Sequence, residues 1–215
     1  MSHTSPATGR KSLLSRTILP AVLGAVGLFT SARTEAGSPE FYAATFFTAA
    51  VWFLTWLAWG NRRCFSGQAL RETARGLAFG LTLIVLFILG ALIVRFIPFL
   101  AGPVSDLLDN MRHGSVPITL ATLIINGLGE ELFFRDVARR QFSDSLSPTP
   151  AIITQLALYI SVTAAMGIPL LLVASVLIGG AAALEARRAD NLISATTLHL
   201  VWSLGMAFVL PILIH

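Results

Sequence analysis

Two adjacent carboxylates, Glu130 and Glu131, precede Arg135 in the run Asn126-Gly-Leu-Gly-Glu-Glu-Leu-Phe-Phe-Arg135. Further along the chain, His199 and Ser203 stand four residues apart, at helical spacing. Such a set suggests acid–base chemistry on a carbonyl group. A glutamate in an apolar interior can act as a general base, taking a proton from water and directing that water at an amide carbon. His199 and Ser203 could donate hydrogen bonds to the oxyanion that forms. The result would be a hydrolase without a covalent intermediate. Glu130, Glu131 and His199 could instead hold a divalent metal such as zinc. The sequence favours this less, because it has no His-Glu-x-x-His helix. No other cofactor is expected.

The setting makes these residues conspicuous. The 215-residue chain is 55% hydrophobic and only 12% charged, and its mean hydropathy is +0.77. Acids within a bilayer are costly and persist there with a partner or a task. Apolar runs near the length of a membrane span recur. Seven segments can be drawn, roughly 13–30, 41–59, 76–100, 117–134, 150–165, 168–184 and 192–214. The first could also be a signal peptide, and its removal would leave the remaining topology unchanged. The polar stretch from Ala101 to Val116 reads as a surface connection. Cys64 is the single cysteine, so no intramolecular disulfide can form.

Of the 15 Lys and Arg residues, 12 fall at every second boundary: Arg10, Lys11 and Arg16; Arg62, Arg63, Arg71 and Arg75; Arg135, Arg139 and Arg140; Arg187 and Arg188. Arg33, Arg95 and Arg112 remain for the other side. Basic residues concentrate on the cytoplasmic side of membrane proteins. The pattern therefore predicts a cytoplasmic N-terminus, seven spans and a single all-α membrane-embedded domain over 1–215. The net charge of +4 is explained by this flanking arrangement, and a nucleic-acid partner is not expected.

Helical periodicity then sorts the polar residues inside spans. Thr119, Thr122, Asn126 and Glu130 share one face of the fourth segment. Glu131 is turned about 100° away and precedes Arg135 by four residues, the favourable order for an ion pair. Glu131 with Arg135 is thus expected to be support, and Glu130 to face the interior. Gln155, Tyr159 and Thr163 form a second stripe, and Thr196, His199 and Ser203 a third. Lipid cannot satisfy such groups, so the three stripes should turn toward one another. Glu130 lies about 14 Å from Arg139 and His199 about 16 Å from Arg188 along their helices. Both fall in the cytoplasmic half and could meet. Thr163 lies about 20 Å from the start of its span, a depth that could keep it from Glu130.

These residues resemble the CPBP family of intramembrane proteases, which includes CAAX prenyl proteases and bacteriocin-processing (Abi) proteins. The family's Glu-Glu-x-x-x-Arg motif reads Glu130-Glu131-Leu-Phe-Phe-Arg135 here, and its His-x-x-x-Asn/Asp motif reads His199-Leu-Val-Trp-Ser203. Its Phe-x-x-x-His motif is matched best by Tyr159-Ile-Ser-Val-Thr163, where threonine replaces histidine. The resemblance covers 117–215. It implies a glutamic endopeptidase that cleaves a membrane-presented peptide or membrane protein. Glu130 would activate water, Arg135 would support the glutamates, and His199 with Ser203 would bind the oxyanion. The family has been considered both metal-dependent and metal-free. The topology read from apolar spans and basic clusters places the protein in membrane lipid, in the cell membrane, with its site expected to open toward the cytoplasm. Two other readings remain: a catalytically silent relative that binds a membrane partner, favoured by Thr163, and a small proton-coupled transporter using Glu130 and His199.

Overall fold

The computed structural model describes residues 12–112 and 114–213. The expected positions of Arg10, Lys11 and the end of the last segment at Ile214 lie outside them. Every regular element among the described residues is helical. Seven helices are long and apolar enough to cross a membrane: α1 (Leu14–Ser31), α2 (Pro39–Trp59), α3 (Ala69–Val94), α5 (Val116–Ser143), α6 (Pro148–Met166), α7 (Pro169–Ala189) and α8 (Ile193–Leu213). Helix α4 (Pro98–Arg112) is shorter and lies between the third and fourth of these.

Prolines explain several of the boundaries. Helices α2, α5, α6 and α7 each begin with proline in the first turn, where its missing N–H is no loss. Pro98 also accounts for a departure from the sequence reading. The third span ends at Val94, short of Leu100, because the residue before a proline is driven out of helical geometry. The chain then restarts as α4. The expected surface connection is therefore a helix, and Ala101, Val104 and Leu108 on one face of it are buried. They pack with Ala91 and Ile168.

The two ends of the bundle are tied separately. At the end carrying most of the arginines, Asn61 N–H donates to Asp136 Oδ2 at 2.6 Å and Leu192 N–H to the Cys64 carbonyl at 2.7 Å. There Glu185 accepts from Arg75, Arg188 and Ser194, and Arg188 also pairs with Glu72. At the opposite end Tyr42 Oη meets Thr119 Oγ1 at 3.0 Å and Ser115 N–H at 2.9 Å. Arg112 donates to the Pro211 carbonyl there. Helix α1 packs on α2 through small residues: Gly24 lies against the Trp52 ring and Gly27 against Thr48, with no room for a Cβ at either. Close approach through small residues is the usual way apolar helices associate in lipid.

Helix α5 changes character midway. It is α-helical from Val116 to Glu130, π-helical from Glu131 to Ala138, and α-helical again from Arg139. Every residue of the π segment is buried. A helix buried on all sides is central to its fold, and π segments are rare and concentrate at functional sites.

Candidate active site

The change from α- to π-helix falls between the two glutamates and gives them different surroundings. The Glu131 side chain is wholly buried. Its Oε1 lies 2.7 Å from His199 Nδ1, and its Oε2 lies 3.4 Å from Arg135 Nε. The first contact is a hydrogen bond; the second is an ion pair without hydrogen-bond alignment. Arg135 is equally buried. Its Nη2 donates to the Gly179 carbonyl at 3.3 Å, and its guanidinium sits 4.3 Å from the centre of the Tyr159 ring. A buried ion needs a partner, and here each serves the other.

Glu130 is the more accessible acid, with 17% of its side chain exposed, and its Oε2 is 3.9 Å from His199 Nε2. That is too long for a direct hydrogen bond. The imidazole is thus held by one carboxylate through Nδ1 and turns its other nitrogen toward the second. With Nδ1–H donating to Glu131, orientation and tautomer are fixed together. The Tyr159 side chain also neighbours Glu130.

These groups border a cavity of about 560 Å³. Glu130, His199, Ser203 and Thr163 all line it. The Thr163 hydroxyl donates to the Tyr159 carbonyl at 3.0 Å. Asn126, also on the wall, donates to the carbonyls of Thr45 and Thr122. Glu131 and Arg135 lie outside the lining, behind Glu130. Phe133 and Phe134 stack and tilt against Trp52, with ring centres 4.6 and 5.3 Å away. The other lining residues reach Ser31, Phe41, Val94 and Leu108. The cavity therefore runs away from the arginine-rich end, whereas the sequence pointed to an opening at that end.

The sequence anticipated Glu131 with Arg135 as a supporting pair. It missed that Glu131, and not Glu130, grips His199. It treated Tyr159 as a helix contact only, although the ring also supports Arg135 and borders the cavity. One signal was available, since Tyr159 occupies the aromatic place of the incomplete second motif.

Both oxygens of Glu131 face His199 and Arg135, and a buried guanidinium stands where a cation would have to compete. No group of three His, Cys, Asp or Glu side chains among the described residues is placed to hold one.

A family described as type II CAAX prenyl endopeptidase Rce1-like matches residues 112–205, the stretch that holds all seven motif positions. The match agrees with the CPBP resemblance and suggests an intramembrane protease of the CAAX type. No curated protein and no solved structure was found to match the chain.

Proposed function

We propose that the chain is an intramembrane peptide hydrolase in which Glu130 activates water without a metal. The observation that carries this reading is the 3.9 Å gap between Glu130 Oε2 and His199 Nε2 at the cavity wall, which suits one water held by both groups. Glu130 takes a proton from that water as its oxygen attacks the amide carbon. The oxyanion accepts from the Ser203 hydroxyl, and from His199 Nε2 when the imidazole carries a second proton there. The proton passes from Glu130 to the leaving nitrogen as the C–N bond breaks, giving a carboxylic acid and an amine. Glu131 and Arg135 position the histidine and the helix end. The substrate is a membrane-presented peptide or membrane protein, and the protein works in the cell membrane.

The test is incubation in liposomes with prenylated peptides, leader peptides and unmodified apolar peptides, with and without hydroxylamine. Cleavage that gives a free carboxyl terminus and no hydroxamate supports direct attack by water, whereas a hydroxamate would reveal an acyl-enzyme. Absence of cleavage across the panel counts against the hydrolase.

A second reading is a silent relative that binds a membrane partner. Thr163 favours it, because a hydroxyl already donating to the Tyr159 carbonyl cannot share a proton with Glu130. A transporter is less well supported. Behind Glu130, the chain is packed without exposure at Phe133, Phe134 and Ala138, so the described residues offer no water path through to the basic end.

A further inference from the structure

We infer that the peptide taken by this site is delivered from the end of the bundle opposite the arginine clusters, from the non-cytoplasmic side of the membrane. What fills the cavity rests on the hydrolase reading; where the cavity leads does not.

The two directions out of Glu130 differ sharply. Toward the arginines, α5 continues as a π segment whose eight residues are all buried. Trp52, Phe133, Phe134 and Ala138 are inaccessible there, as are Ala186 and Ala195 from the neighbouring helices. This is a packed floor. Toward the other end, the wall is built from the last turns of α3, the first turns of α5 and α7, the far half of α8 and the inner face of α4. Consecutive spans are antiparallel, so all of these lie at one end of the bundle.

The distribution of charge says which side that end faces. Of the 15 basic residues, eleven fall in sequence at the boundaries of the packed end, Arg135 is buried beside Glu131, and only Arg33, Arg95 and Arg112 flank the open end. Such an imbalance places the packed end in the cytoplasm. The cavity then leads to the opposite leaflet. Helix α4 borders its mouth with Val104 and Leu108 turned inward. Phe96 and Phe99 nearby are exposed, as suits aromatic side chains at a membrane surface.

Depth adds a requirement on the substrate. Glu130 lies fourteen residues below Val116 in α5, about 21 Å along the helix. An extended chain covers about 3.3 Å per residue, so about six residues must pass the mouth before a scissile bond reaches Glu130. The peptide is one that can enter an apolar channel in extended form from the outer leaflet.

Cysteine labelling tests the direction without requiring any cleavage. Cys64 is first replaced by serine. Ala207→Cys and, separately, Leu171→Cys then mark the cavity wall, and Ser143→Cys marks the arginine-rich end. A membrane-impermeant charged maleimide is applied to intact cells and to inverted vesicles. The expected result is at least tenfold faster labelling of the cavity cysteines in cells, and of Ser143→Cys in inverted vesicles. Cavity cysteines that label from the same face as Ser143→Cys, or from neither face, overturn the inference. Ser143→Cys labelling in intact cells overturns the assignment of sides. Labelling as expected with no cleavage of any peptide would leave the access route standing and remove the hydrolase.

Discussion

Glu131 and Arg135 are each other's principal electrostatic partner and are both fully buried, and this makes them sensitive to change in a way that Glu130 is not. Removing one member of a buried pair leaves the other uncompensated, at a cost of about 3–5 kcal/mol. Arg135→Ala should therefore lower the unfolding midpoint in detergent strongly. Glu130→Gln, on the cavity wall, should leave that midpoint nearly unchanged. Equal midpoints for Arg135→Ala and the unmodified protein would contradict the assigned roles. Thr163→His is the complementary gain test. It returns a titratable ring to the cavity wall, and an increase in cleavage rate is expected if the second motif still functions. At this scale the inward face of Glu130 was legible, because Thr119, Thr122, Asn126 and Glu130 repeat at helical spacing. The bond from Glu131 to His199 was not. It depends on how two helices distant in sequence are rotated against each other, and on a π segment that shifts the residues after Glu130 off the α-helical period.

At the scale of elements, the packing of α6 against α7 passes through Gly179. A Cβ there would lie 2.7 Å from the Tyr159 ring and 2.9 Å from Leu156, and the Gly179 carbonyl accepts from Arg135. Overpacking of this kind costs about 1–3 kcal/mol. Gly179→Ala should lower thermal stability by that amount. Gly180→Ala, where a Cβ meets nothing within 4 Å, should be neutral or slightly stabilising because alanine favours the helix. Similar losses from both would show that Gly179 has no special contact. The seven spans were legible from apolar length and alternating charge. Helix α4 was not, since its polar residues outnumber the apolar stripe of Ala101, Val104 and Leu108 that buries it. The cavity direction was also hidden, because depth along a helix measures distance to an end and not which end is packed shut.

Across the molecule, the matched stretch 112–205 supplies the site, while α2 braces it from outside through Trp52. The loop following α2 contributes a further check on compactness. Burial pushes the Cys64 thiol up to about 11, with Asp136 adding to the effect. Its thiolate should be about a hundredfold scarcer than that of an ordinary cysteine. Alkylation in the folded protein near pH 8 should be correspondingly slow and should speed up on unfolding. Rapid alkylation without unfolding would show that this loop is not packed as described.

The central claim is that Glu130 activates the attacking water, and the rate of peptide cleavage in liposomes by the unmodified protein and by Glu130→Gln tests it most directly. Loss of a general base removes about 10²–10⁴-fold in rate. With equal folding confirmed by the unfolding midpoint, Glu130→Gln is predicted to cleave at least a hundredfold more slowly. Cleavage at the same rate by both proteins would contradict the account.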